Sequence, residues 1–138
     1  MNDLDWLVGR RFVELVRNEC TWHLVFDNRD GISAACLWRL LEGGRIRLTS
    51  QDDGHQFGLP APVDAVVETN QQIAGATVAA VRLAAGTLDL EITFSTGHAI
   101  QLLPDSAGYE SWQAWRPDYQ FIACGGGELV VFGPEDRK

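Results

Sequence analysis

Apolar and polar residues alternate with a period of two along most of this chain, a pattern typical of strands that bury one face. Trp22, Leu24 and Phe26 share one face in this way, and residues 45–49 alternate just as clearly. Clusters of turn-forming residues recur about every ten residues between these runs. We therefore predict strands at residues 10–18, 22–26, 32–40, 45–49, 77–83, 88–94, 98–103, 109–115, 119–124 and 129–132, with a helix over 34–41 as the alternative for the third.

The period changes once, after Pro60. Val63 and Val66 begin a set of apolar residues at helical spacing, and Gly75 follows the last of them. Proline before and glycine after such a set are the start and stop signals of a helix. The spacing predicts one helix over about 61–73, with a single apolar stripe that packs on a sheet.

The two halves of the chain contain similar apolar residues in the same order. Because strand register decides which side chains point inward, this shared spacing predicts equivalent core positions in the two halves. A chance likeness between two β-meanders is the alternative. The corresponding segments are 7–9 with 73–75, 22–26 with 90–94, Trp38 with Trp112, and Ile46 with Ile122.

These elements predict a single domain, residues 1–138, of the α+β class and predominantly antiparallel β. Two meander-like halves, at about 6–58 and 73–132, are joined by the helix near 61–73. A half of about 60 residues would be only marginally stable alone. We therefore expect the two halves to pack around one shared core.

Composition and charge exclude several classes of protein. The chain has 138 residues, 46% of them hydrophobic and five of them tryptophan, so it can form a core and is not disordered. Its 11 basic and 19 acidic side chains give a net charge of −8, which argues against nucleic acid as a partner. The longest apolar stretch, 73–81, is too short to span a membrane, and the first six residues lack the basic region of a signal peptide. We expect a cytoplasmic protein without a membrane partner.

The cysteines do not indicate a disulfide framework or a zinc site. Cys20, Cys36 and Cys124 are odd in number, widely spaced and outside any C-x-x-C motif. The cysteines have apolar neighbours in the sequence, which favours their role as small buried side chains. Cys124 could act as a nucleophile only if a histidine lay beside it in the fold. The chain also lacks the common hydrolase, metalloprotease and nucleotide-binding motifs, and Gly125–Gly127 precedes a strand, as a tight turn would. We expect no cofactor, and the sequence favours a protein without enzymatic activity over an enzyme.

The loop Asp52-Asp53-Gly54-His55 resembles a ligand site more than any other loop of the chain. Two carboxylates and an imidazole could hold a metal ion or act as a base and the group that orients it. The same residues also fit an ordinary turn, in which Asp and Gly satisfy local hydrogen bonds. Asp52, Asp53 and His55 are therefore weak metal candidates, while His23 is expected to be exposed and His98 to have no special role.

Aromatic residues are densest between Tyr109 and Trp115. In a strand, Tyr109 and Trp115 would share one face, and Trp112 would point from the other face into the core. Exposed aromatic side chains are common in protein interfaces, although all three could simply pack inside. The predicted partner-binding residues are Tyr109, Glu110, Trp115, Asp52 and Asp53.

Three short segments resemble a family of small uncharacterised bacterial proteins, a domain of unknown function. Phe132 stands where the last strand of that family often ends on tryptophan. Some family members are suspected immunity proteins paired with secreted toxins, and no catalytic residues are known that could be transferred to this chain. The matching segments are Phe94-Ser95-Thr96-Gly97, Tyr109-Glu110-Ser111-Trp112 and Gly126-Gly127-Glu128-Leu129.

The resulting hypothesis is a non-catalytic protein-binding module, with an immunity-like protein that neutralises a basic toxin as its concrete form. An acidic surface would give such a module fast, salt-sensitive association. One alternative is a β-barrel or sandwich that binds a small ligand between aromatic side chains. The other is an unrecognised enzyme that uses Asp52, Asp53, His55 or Cys124. The sequence does not predict an oligomeric state.

Overall fold

The computed structural model describes residues 3–134, and within them eleven strands form two antiparallel sheets beside one α-helix. Short 3-10 turns lie at Asp5–Leu7, Ser50–Asp52 and Gly125–Gly127. The strands are β1 (Phe12–Asn18), β2 (Thr21–Phe26), β3 (Gly31–Ala34), β4 (Leu37–Glu42), β5 (Arg45–Thr49), β6 (Val78–Leu83), β7 (Leu90–Phe94), β8 (His98–Leu103), β9 (Trp112–Arg116), β10 (Tyr119–Cys124) and β11 (Glu128–Phe132), and the helix is α1 (Ala65–Ile73).

Each half of the chain contributes strands to both sheets. Sheet I has the order β1-β2-β3-β9-β10-β11, and sheet II has the order β5-β4-β8-β7-β6. The meander β1–β3 lies in sheet I and is followed by a hairpin, β4–β5, in sheet II. The meander β6–β8 lies in sheet II and is followed by β9–β11 in sheet I. The predicted α+β class, predominantly antiparallel β, is confirmed.

The predicted strand at 32–40 is wrong, because the chain changes sheets in its middle. It ends one strand at Ala34 and begins the next at Leu37, so β3 pairs in sheet I and β4 in sheet II. The backbone N–H of Ala35, in the connection, donates to the carbonyl of Ser111 at 2.9 Å. The alternative helix at 34–41 is also wrong.

The helix starts four residues later than the predicted 61, at Ala65. Before it, the chain pairs with the preceding loop: Val63 N–H donates to the His55 carbonyl, and Gly54 N–H donates to the Val63 carbonyl, both at 2.8 Å. Asp64 then caps the helix by accepting from Val67 N–H at 3.1 Å. This extended pairing prevents residues 61–64 from joining the helix. No helix in the described part of the chain is long and apolar enough to cross a membrane.

The starts of β1 and β6 make the same hydrogen bonds to each other. Gly9 N–H donates to the Val78 carbonyl at 2.9 Å, and Gly75 N–H donates to the Phe12 carbonyl at 2.8 Å. Both glycines have positive φ angles, which an L side chain would disfavour. A bulge follows in each strand, after Phe12 in β1 and after Val78 in β6. The two edge strands are thus built alike and hold each other in place.

The core lies between the two sheets and is rich in aromatic side chains. Trp22 packs edge to face on Trp38, with ring centroids 5.1 Å apart, and Phe12 packs in the same way on Phe94 at 5.7 Å. Trp112 is buried, as predicted, and its indole N–H donates to the Leu88 carbonyl at 3.0 Å. Because these side chains occupy the space between the sheets, we look for a binding site on the surface.

Candidate functional site

A cleft opens on the outer side of sheet I, where the chain crosses between the two sheets. It consists of two adjoining hollows of about 290 and about 640 Å³ that share Ala35, Glu110 and Ser111. We call this feature the crossover cleft. Its lining includes Ser33, Ala35, Asp105, Tyr109, Glu110 and Gln113.

The segment before β9 forms one wall of the cleft because it turns instead of continuing as a strand. The Ser106 hydroxyl accepts from Gly108 N–H at 3.0 Å and from Tyr109 N–H at 2.9 Å, as in a serine-stabilised turn. Behind the segment, a side chain at Gly125 would come within 2.6 Å of the Ala107 backbone, so the close approach requires glycine. The predicted strand 109–115 is therefore wrong at its start, and Tyr109 lies on a loop with 82% of its surface exposed.

The cleft carries carboxylates without cationic partners. Glu110 accepts a hydrogen bond from the Gln113 side-chain amide at 2.9 Å. Within residues 3–134, no arginine or histidine makes an ion pair with Glu110 or with Asp105. The exposed ring of Tyr109 stands beside both. An added cation would meet uncompensated negative charge here.

Trp115 lies near the cleft but not on its wall. It follows Gln113 by two residues on the outer face of β9, and its ring covers Gly31 of the neighbouring strand. A side chain at Gly31 would approach the Trp115 ring to 2.6 Å. Trp115 keeps 37% of its surface exposed. The structure thus separates Trp115 from Tyr109, which the sequence had placed on one face of one strand.

We expect Gly31→Ala to displace the Trp115 ring and to lower the free energy of unfolding by about 1–3 kcal/mol, the usual cost of overpacking. Near-ultraviolet circular dichroism would report the ring, and urea denaturation would report stability. The control is the same change in a Trp115→Ala background, where the added methyl group has space. An equal loss of stability in both backgrounds would show that Gly31 is needed for another reason.

The loop at 52–55 is used for local structure, and its carboxylates do not line the crossover cleft. Asp52 accepts from Thr49 N–H at 2.9 Å in a capping box. Asp53 accepts from Ala65 N–H at 2.9 Å and pairs with Arg17 at 2.6 Å. His55 is exposed and stacks on a neighbouring aromatic ring. No three His, Cys, Asp or Glu side chains of the described chain are grouped as metal ligands would be.

Two histidines have more partners than their sequence positions indicated. His23, expected to be exposed, is half-buried, and its Nδ1 lies 2.8 Å from the Ser33 hydroxyl. His98 is buried, with Nε2 3.1 Å from Gln72 of α1 and 3.5 Å from Glu42 of β4. Gln72 lies 26 residues from His98 in the sequence, so no local motif could have identified this contact, whereas the Thr96 hydroxyl, 2.8 Å from His98 Nδ1, is a local partner. His98 serves to hold α1 against sheet II.

Burial favours the protonated form of the most buried cysteine. Burial raises the pKa of the Cys36 thiol to about 11, so the thiol stays protonated at neutral pH. Cys124 is half-buried and Cys20 is exposed.

No curated protein and no solved structure shows a significant match to this chain. A family model does match it over nearly its whole length. The sequence resemblance predicted an uncharacterised family, and that prediction is confirmed: the chain belongs to the Family of unknown function (DUF6188), whose model matches residues 5–133.

Proposed function

We propose that this chain is a non-catalytic protein-binding module whose crossover cleft receives a basic segment of a partner protein. The observation that carries the proposal is the pair of carboxylates, Glu110 and Asp105, that have no cationic partner within residues 3–134 and line the same hollow as the exposed ring of Tyr109. Charge-assisted hydrogen bonds to a carboxylate are among the stronger polar contacts in proteins. Tyrosine adds apolar area at a low entropic cost and is enriched in interface hot spots.

The charge of the whole chain supports a basic partner. A net charge of −8 attracts a cationic protein over a distance of about one Debye length, roughly 8–10 Å at physiological salt. Such attraction speeds association and makes it sensitive to salt. An immunity-like protein that neutralises a basic toxin is the concrete form of this function that the family resemblance suggests.

The packed interior favours this function over a ligand-binding barrel. A barrel or sandwich that binds a small molecule needs an interior space, whereas Trp38, Trp112 and their neighbours occupy the region between the sheets. Of the groups that the enzyme alternative would use, Asp52 and Asp53 already accept hydrogen bonds from the backbone N–H groups of Thr49 and Ala65. A surface that binds a protein requires none of these groups.

We expect 12-residue peptides rich in lysine or arginine to shift the amide resonances of residues 105–113 in ¹H–¹⁵N spectra, while acidic peptides of equal length do not. Affinity should fall as salt rises from about 50 to about 500 mM, because screening weakens the attraction. Tyr109→Ala and Glu110→Gln should each weaken binding about tenfold, the equivalent of about 1.4 kcal/mol.

The matched control is Glu14→Gln, which makes the same change of charge on the exposed face of β1, the far edge of sheet I. It should leave the affinity nearly unchanged. Equal losses in Glu14→Gln and Glu110→Gln would mean that the peptides sense only net charge. Shifts confined to another surface would rule out the crossover cleft as the site.

A further inference from the structure

One row of outward side chains lies beneath the crossover cleft in sheet I, and a row at the equivalent register position lies in sheet II. In sheet I the row crosses β2, β3 and β9, and in sheet II it crosses β7, β8 and β4. Each row therefore includes two consecutive strands from one half of the chain and one strand from the other half. Both rows lie one residue away from a buried row, and both point outward. The row in sheet I is His23, Ser33 and Gln113, and the row in sheet II is Glu91, Gln101 and Arg39.

The buried rows establish this correspondence. Trp112 lies opposite Ala34 in sheet I, and Trp38 lies opposite Leu102 in sheet II, with all four side chains buried. A hollow of similar size opens beside each outer row, about 290 Å³ on sheet I and about 300 Å³ on sheet II. Gln113 in one sheet therefore corresponds to Arg39 in the other.

Sheet II shows how this arrangement holds a guanidinium group. Arg39 donates from Nε to the Gln101 side-chain carbonyl at 2.9 Å and donates to the same oxygen from Nη2. Gln101 in turn donates to Glu91 at 2.7 Å, and Arg82 pairs with Glu91 at 3.3 Å. Across four strands, Arg39 and Arg82 thus stand at the two ends of the row, and the two acceptors, Gln101 and Glu91, lie between them.

Within residues 3–134, sheet I has no arginine in the corresponding row, where His23, Ser33 and Gln113 stand in place of Glu91, Gln101 and Arg39. Gln113, which stands where Arg39 stands in sheet II, accepts from the Gln120 side-chain amide at 3.0 Å and donates to Glu110. The Ser33 hydroxyl lies in the same row and lines the same hollow. We propose that the partner supplies the missing group: the crossover cleft receives an arginine side chain, whose guanidinium pairs with Glu110. This inference rests on the proposed function.

Arginine fits this cleft better than lysine for a geometric reason. A guanidinium presents five N–H donors in a rigid plane, which can reach several fixed acceptors together and can stack on an aromatic ring. The Glu110 carboxylate lines both hollows of the cleft, together with the Tyr109 ring in one. In the other hollow stands the Ser33 hydroxyl, which also lies 2.8 Å from Nδ1 of His23. An ammonium group is a compact and strongly hydrated charge that gains less from such spacing.

The test uses two 12-residue peptides that differ in one position, where the only cation is arginine or lysine. We expect the arginine peptide to bind at least about tenfold more tightly by titration of the ¹H–¹⁵N spectrum, with the shifts centred on residues 105–113. Gln113→Arg should abolish binding, because it places a guanidinium at the position of Arg39, next to the Glu110 carboxylate that the Gln113 side chain already contacts. Val67→Arg adds the same charge at an exposed position of α1 that does not line the cleft, and should leave binding nearly unchanged.

Each outcome decides one question. Equal binding of both peptides at residues 105–113 would overturn the preference for arginine and leave the proposed function standing. Unchanged binding by Gln113→Arg, with a native-like spectrum, would also overturn the assignment of the guanidinium to this place. If neither these peptides nor the polybasic ones shift residues 105–113, the proposed function itself fails. Should Gln113→Arg misfold, loss of the arginine preference in Glu110→Gln is the replacement test.

Discussion

Replacing Trp112 by alanine should lower the free energy of unfolding by about 3–5 kcal/mol, the usual range for a fully buried large aromatic side chain. Only 1% of Trp112 is exposed, and its indole N–H satisfies the Leu88 carbonyl at 3.0 Å. The substitution removes core volume and leaves that carbonyl without its partner. Urea denaturation followed by far-ultraviolet circular dichroism measures the effect, and Trp115→Ala, at a half-exposed position, should cost much less.

A matched pair of phenylalanine substitutions separates packing from hydrogen bonding. Trp38 is as buried as Trp112, but its indole N–H has no hydrogen-bond partner in the described part of the chain. Trp112→Phe should therefore cost more than Trp38→Phe, by about 1–3 kcal/mol, because only Trp112→Phe leaves a buried carbonyl unsatisfied. Equal costs would mean that the bond to Leu88 contributes no net stability.

The class of the fold could be predicted from the sequence because a period-two pattern depends only on which side chains point inward. The same property conceals which sheet a strand joins. Ala34 and Trp38 both point into the core, although they belong to different sheets, so the alternation passes through the corner at Ala35 unbroken. Only long-range pairing, such as that of Ala35 with Ser111, determines the crossing.

The candidate site was predicted in part, and for an incomplete reason. Tyr109 and Glu110 were predicted to bind a partner as members of an aromatic segment that would form one strand. They share the cleft wall because the Ser106 hydroxyl turns the chain before them. The turn-forming residues from Pro104 to Gly108 indicated this turn in the sequence. A predicted turn that continued past all of them would have placed the start of the strand after Tyr109.

Other site residues could not be judged from local sequence. Asp53 resembles a ligand in isolation, but folding brings Arg17 and the start of α1 to its two oxygens. The correspondence between Gln113 and Arg39 depends on strand register across two sheets. Such relations need the topology, since nothing in either segment alone specifies its neighbours.

Arg10→Met should lower the free energy of unfolding by about 3–5 kcal/mol at pH 7, because it leaves a buried carboxylate without its counter-ion. Asp30 is 2% exposed, and its Oδ2 accepts from Arg10 Nε at 2.6 Å. Its other carboxylate oxygen, Oδ1, is buried and has no hydrogen-bond partner among residues 3–134. Asp30→Asn should cost less, because the Arg10 side chain is 30% exposed and can recover its hydration.

The cost of Arg10→Met should depend on pH in a defined direction. Burial raises the pKa of Asp30 above its ordinary value of 3.8, although Arg10 and Arg116 oppose the rise. A carboxyl whose pKa is raised by folding stabilises the folded state fully below the unfolded pKa, and this stability is lost as pH rises through the folded pKa. Removing Arg10 removes an opposing charge and raises the pKa of Asp30 further.

The stability difference between wild type and Arg10→Met should therefore shrink as pH falls from 7 towards 4, since protonation neutralises the unpaired carboxylate. The double variant Arg10→Met, Asp30→Asn has no carboxylate at this position, so its difference from Asp30→Asn should not change with pH in the same way. Urea denaturation of all four proteins at several pH values measures these differences. A constant difference between wild type and Arg10→Met would show that Arg10 stabilises the fold through packing of its side chain, because a packing contribution does not depend on the charge of Asp30.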